Sequence, residues 1–141
     1  VIASIALRAV PRRHHLLVAQ MFRFAVVGTL GFLVDTAVVY LLRHALGLYG
    51  AGLVSFLVSA TFTWALNRAW TFRGLGGGRA HHQWARFVGA NTLGFTLNRG
   101  AYAALVTFSA VCAAYPVLAT AGGAIAGMGV NFLMSRRLVF R

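Results

Sequence analysis

Residues 23–35 read Arg23-Phe24-Ala25-Val26-Val27-Gly28-Thr29-Leu30-Gly31-Phe32-Leu33-Val34-Asp35, and the pattern returns 63 positions later. There the chain reads Arg86-Phe87-Val88-Gly89-Ala90-Asn91-Thr92-Leu93-Gly94-Phe95-Thr96-Leu97-Asn98. Arg23 falls on Arg86, Phe24 on Phe87, Thr29-Leu30-Gly31-Phe32 on Thr92-Leu93-Gly94-Phe95, and Asp35 on Asn98. Each copy opens a long apolar run. Asp35 is the chain's single acidic residue and lies inside the first of these runs.

Composition points the same way. Of 141 residues, 60% are hydrophobic and 10% charged, against about 25% charged in a soluble domain. Long apolar runs with sparse charge indicate a membrane protein. The net charge of +12 comes from 13 arginines and no lysine. Nucleic-acid binding is set aside, because the runs leave no soluble core on which to mount a basic face. Arginines gathered at the ends of the runs suit anchoring at an anionic membrane surface instead.

Four helices follow, at about 24–42, 49–66, 87–108 and 115–134, each near the roughly 20 residues that cross a hydrocarbon core. Residues 1–21 form a basic N-terminal extension, read as flexible or as an interfacial amphipathic segment. A secretory signal is a weaker reading, since the basic residues follow the short apolar piece Val1–Leu7. The four-helix domain takes residues 22–141. Gly74–Arg79 is a glycine-rich connector without a phosphate-loop lysine.

Arginine placement sets the orientation. Arg8, Arg12, Arg13 and Arg23 precede the first helix, Arg68, Arg73, Arg79 and Arg86 lie between the second and third, and Arg136, Arg137 and Arg141 follow the fourth. The other two connections hold only Arg43. The positive-inside rule therefore places both termini and the middle connection in the cytoplasm. An even number of helices per repeat gives two parallel halves. The second helices match at their ends with an offset of 68: Thr63-Trp64-Ala65-Leu66-Asn67-Arg68 on Asn131-Phe132-Leu133-Met134-Ser135-Arg136, and Phe72-Arg73 on Phe140-Arg141. The fold expected is an all-α, integral membrane four-helix bundle.

Asp35 falls about 16 Å beyond Phe24 at 1.5 Å per residue, near mid-bilayer. Arg99 reaches a similar depth. A lone charge there costs on the order of 3 kcal/mol or more, so an Asp35–Arg99 pair is expected, with Asn91, Thr96 and Asn98 adding hydrogen bonds. Such a pair either pins the helices together or lines a polar crevice. At the cytoplasmic ends, Asn67, Arg68, Asn131, Ser135, Arg136 and Arg137 gather with Arg23 and Arg86. A ring of guanidinium groups suits a phosphate, whose oxygens the planar fork binds in pairs; plain anchoring by lipid head groups is the simpler alternative. Trp70, Phe72 and Trp84 read as interfacial aromatics, and the helix glycines as close-packing positions.

No constellation for covalent chemistry is present: there is no Ser-His-Asp set, carboxylate pair or Walker sequence. The adjacent pairs His14-His15 and His81-His82 lack the spacing of metal ligands on one helix face, and Cys112 has no disulfide partner. No cofactor is expected.

These residues resemble the GtrA-like family. The resemblance rests on Phe22-Arg23-Phe24-Ala25-Val26-Val27-Gly28, Asp35 and Asn67-Arg68-Ala69-Trp70-Thr71-Phe72, with the second copy at Arg86-Phe87 and Asn131–Arg136. It covers Phe22 to Arg141. Thr63-Trp64 and Ser135-Arg136 depart from the family's usual Asn-Phe and Asn-Arg. The resemblance implies a role in cell-surface polysaccharide synthesis: translocation of a polyprenyl-phosphate-linked monosaccharide, or support of the membrane-associated glycosyltransferase that makes it. The partners implied are that lipid, the enzyme and anionic lipids, with a homodimer a reasonable assembly. A proton-coupled exporter is disfavoured, because Asp35 is expected to pair with Arg99 and the apolar helices show no evident aromatic box for a cation.

Overall fold

The computed structural model describes residues 12–141, apart from the side chains of residues 12, 116, 117 and 120. The chain is all-α. Helix α1 spans Arg12–Leu66 and passes into a π-helical turn, Asn67–Thr71. After a short loop come α2 (Ala80–Phe108), the brief α3 (Ala110–Ala114) and α4 (Pro116–Met134), which ends in a second π turn, Ser135–Val139.

Two expected helices are thus joined in α1. The helix begins at residue 12, not 24, so Arg12–Met21 continue into the apolar run without a break. The rest of the expected extension, with Arg8 and Val1–Leu7, lies outside the described residues. The expected gap at 43–48 shrinks to one residue: Gly47, with φ 70° and ψ 172°, is the only non-helical position inside α1. That backbone region is open essentially to glycine alone and costs other residues about 1–3 kcal/mol. A single left-handed residue is enough to fold the chain back. Gly31 and Thr63, each 16 residues from Gly47, meet across the two arms, and Ser59 Oγ donates to the Gly31 carbonyl at 3.0 Å. The arms therefore run antiparallel as a hairpin.

The second hairpin turns through α3. The Ser109 side chain accepts from the Cys112 N–H at 3.3 Å and caps α3, where only a turn was expected. Its arms, α2 and α4, approach closely: the Asn131 amide occupies the place of a Cβ at Gly94, and Gly123 and Gly127 lie against the backbone of Asn98 and Gly94. At Gly28, Gly89 and Gly129, also expected at close contacts, an added Cβ would meet nothing within 4 Å.

The buried core sits at one end, here called the base, where the helix starts and the π turns converge. Phe72 and Phe140 stack at 4.8 Å with their planes 15° apart. Phe24 meets Phe72 edge-on at 6.2 Å, and Phe87 meets Phe140 edge-on at 6.1 Å. Such pairs contribute about 0.5–1.5 kcal/mol each beyond area burial. Phe132 completes the cluster at 5.5 Å from Phe24. The π turns make the stack possible. In each, the closing N–H bonds five residues back, Phe72 to the Asn67 carbonyl and Phe140 to that of Ser135, both at 2.8 Å. Each turn thus ends on a fully buried phenylalanine, and π turns are frequent at functional sites.

Away from the base the molecule is largely exposed. Only 11% of the most apolar 18-residue window of α1, mean hydropathy 2.0, is buried, and that helix is long and apolar enough to cross a membrane.

Candidate functional site: the basic base of the bundle

The base carries most of the sequence-predicted residues, and the structure sorts them into distinct environments. Gln83, near the start of α2, is 3% exposed. Its Oε1 accepts from Arg68 at 3.0 Å and from the Trp64 indole N–H at 3.2 Å. Gln20, near the start of α1, is 4% exposed, and its Oε1 accepts from Arg136 Nε at 3.1 Å. Each glutamine ties the start of one hairpin to the end of the other. These two clasps, with a Trp84–Thr61 hydrogen bond of 2.9 Å, join the hairpins around the phenylalanine stack.

Charge-assisted hydrogen bonds of this kind are the stronger sort, and a neutral amide acceptor leaves each guanidinium its full charge. An arginine has five N–H donors, so Arg68 and Arg136 keep donors for an anion while staying fixed. The glutamines were missed in the sequence reading. A signal for them exists: Gln20 and Gln83 are 63 positions apart, the offset of the repeat itself, and each stands three residues before the repeated arginine.

The other expected ligands separate. Arg23 lies 5.7 Å over the Trp70 ring and donates to the Trp70 carbonyl at 3.4 Å, so Trp70 does more than face the interface. Asn67 is buried and accepts from the Thr71 hydroxyl through Oδ1 at 2.7 Å; it shapes the π turn and is not presented to a ligand. Asn131 lies between α2 and α4 against Gly94, with its Oδ1 buried and unpartnered. Ser135, where the first π turn has Asn67, is fully buried with an unpartnered hydroxyl. Arg86 and Arg137 are exposed. The expected ring is therefore two fixed arginines, a third on Trp70, and free surface arginines around them.

The expected crevice residues do not converge. Asn91 donates to the Phe87 carbonyl of its own helix at 2.9 Å. Asn98 is packed against α4 at Gly123 and Gly127. Arg99 is exposed and lies 5.3 Å over the Phe95 ring, one turn back. Asp35 is partly buried on α1, and among the described residues no ion pair joins it to Arg99. The reason is positional: every hydrogen bond and ring contact found between the two hairpins lies at the base, within residues 20–24, 61–77, 83–84 and 132–141.

The connector Gly74–Arg79 also departs from a plain spacer. Gly76, at φ 86°, brings the backbone against the Gln83 amide nitrogen and Phe140, and the Gly77 N–H bonds to the Arg141 carbonyl at 3.3 Å. The loop is a lid over the Gln83 clasp.

An all-α chain with a helix fit to cross a membrane, a basic aromatic base and little buried surface elsewhere belongs to the small helical membrane proteins. Its residues 23–141 match the family described as GtrA/DPMS, transmembrane domain, and the chain belongs to that family. The match begins at the repeated Arg23 and takes in both π turns and both clasp arginines; Gln20 lies just before it. No curated protein matches the chain.

Proposed function

We propose that the protein translocates a polyprenyl-phosphate-linked monosaccharide across the cytoplasmic membrane for cell-surface polysaccharide synthesis. Membership in the GtrA/DPMS transmembrane family supports a role with polyprenyl-linked sugars. The observation that carries the reading to this chain is the pair of Arg–Gln clasps, Arg68–Gln83 and Arg136–Gln20. They hold two guanidinium groups at the basic end with spare donors, and a guanidinium fork suits phosphate oxygens.

The chain is a multi-pass protein of two parallel two-helix repeats with both termini in the cytoplasm. The matching π turns and the matched Phe24–Phe72 and Phe87–Phe140 contacts support the repeat. The arginine distribution supports the orientation. The phosphate docks among Arg68, Arg136, Arg86, Arg137 and Arg23 at the cytoplasmic surface, with Asn67 and Asn131 shaping the helices behind them. The sugar passes Asp35 and Arg99, and the prenyl chain stays in lipid, while Asn91 and Asn98 are held within the second hairpin. Asp35 and Arg99, joined by no ion pair among the described residues, leave polar groups for the sugar hydroxyls. Transport runs downhill, drawn by consumption of the sugar outside.

The rival is a non-transporting scaffold for a glycosyltransferase, favoured by the exposed Arg73, Arg79 and Arg86 around the lid loop. Purified protein in liposomes, with a labelled polyprenyl-phosphate sugar on one leaflet, separates them. Movement to the other leaflet that falls in Asp35→Asn supports translocation. Movement no faster than in protein-free liposomes, with folded protein, overturns it in favour of the scaffold.

A further inference from the structure

We propose that a groove between the start of α1 and the first π turn binds the phosphate headgroup of a membrane lipid. The groove has a volume of about 200 Å³ and is lined by Gln20, Arg23, Thr71 and Arg73, with Leu16, Trp70 and Leu75 among its walls. Three features define its occupant.

The first is charge. Arg23 and Arg73 both open into the groove, and Arg136 stands behind its floor, bonded to Gln20. The chain's one acid, Asp35, is 12 residues beyond Arg23, or about 18 Å along the helix. The positive charge is therefore uncompensated within the chain and calls for an anion. The second is preorganisation. Arg23 is held over Trp70 and bonded to its carbonyl, so its fork is placed before the ligand arrives. Buried Gln20 and Thr71 make a fixed floor. The third is the apolar rim. Leu16 is 60% exposed and Leu75 45%. Beside two arginines and a tryptophan, exposed leucines suit a chain-bearing phosphate at a membrane interface, whereas a small soluble anion makes no use of them.

The second hairpin explains why this is one site and not two. The same offset takes Gln20 to Gln83, but there the lid loop packs Gly76 against the amide. The position that opens into a groove on the first hairpin is covered on the second. The proposal depends on the membrane setting and not on translocation, so a binding measurement remains readable if transport fails.

The test titrates the full-length protein in zwitterionic nanodiscs with polyprenyl monophosphate, with phosphatidylglycerol and with inorganic phosphate. It compares Arg23→Ala/Arg73→Ala with Arg79→Ala/Arg141→Ala, which removes equal charge at exposed positions elsewhere. The groove pair is expected to lose about tenfold or more in affinity for at least one lipid, and the control pair to stay within about threefold. Loss for polyprenyl monophosphate identifies that lipid as the occupant; loss for phosphatidylglycerol alone identifies an ordinary anionic lipid. Arg73→Glu, at an exposed position, repeats the measurement without disturbing the Arg23–Trp70 contact. Equal losses in both pairs, or a loss confined to inorganic phosphate, overturn the proposal.

Discussion

The two hairpins end alike and are finished differently. On the first, a π turn closes on Phe72, Thr71 bonds Asn67, and Gln20 borders an open groove. On the second, a π turn closes on Phe140, Val139 and Ser135 stand where Thr71 and Asn67 do, and Gln83 is covered by the glycine lid. The shared parts are those that hold the base together: the phenylalanine stack and an arginine on a glutamine from the other hairpin. The parts that differ are those that meet the surroundings. The two hairpins share their joints and differ at their openings.

The close approaches between arms give the largest expected contrast. A methyl at Gly31 meets the Thr63 methyl, whose hydroxyl is bonded to the Ser59 and Ala60 carbonyls and whose branched side chain is stiff. A methyl at Gly94 meets the Asn131 amide, whose buried oxygen has no partner to lose. Gly31→Ala is expected to cost about 2–3 kcal/mol and Gly94→Ala about 1 kcal/mol, read from melting in detergent. Equal costs would mean that the two approaches are equally adaptable.

Removing the acceptors comes next. Gln83→Leu strands two donors, Trp64 and Arg68, whereas Gln20→Leu strands one, Arg136. Because both arginines reach solvent, the losses are modest, about 2 and about 1 kcal/mol. Chemical denaturation of the two variants checks the order, and a larger loss for Gln20→Leu would show that its groove is also structural.

The smallest effects compare the π turns. Thr71→Val breaks the Thr71–Asn67 bond and is expected to cost about 1 kcal/mol. Ser135→Ala removes a buried hydroxyl with no partner, so it is expected to be neutral or to stabilise slightly. Thermal melts of both variants decide this. A clear loss in Ser135→Ala would show that the hydroxyl has a partner in the membrane.

Much of this contrast was legible in the residues. The repeat, the helical class, Arg68 and Arg136 as matched positions, and the family itself follow from apolar runs, offsets and motif. The clasps did not emerge, because an uncharged glutamine at a helix start carries no signal until its partner is placed. The Asp35–Arg99 pair was expected on depth alone. Depth fixes height along a helix but not which way a side chain faces, nor whether two hairpins that touch at the base touch higher up. Gly47 was read only as the end of a helix, since nothing local distinguishes a loop from a one-residue break. The lid was read as a spacer because glycine permits both a flexible linker and a close backbone approach.

Both clasps are proposed to serve one path for a lipid-linked phosphate. The most direct test is the initial rate at which a polyprenyl-phosphate sugar crosses liposomes containing wild-type protein, Arg68→Ala or Arg136→Ala. Each variant is expected to fall about tenfold or more, by similar amounts, because each loses one fixed guanidinium. Wild-type protein that moves the lipid at the same rate as either variant would contradict the proposal.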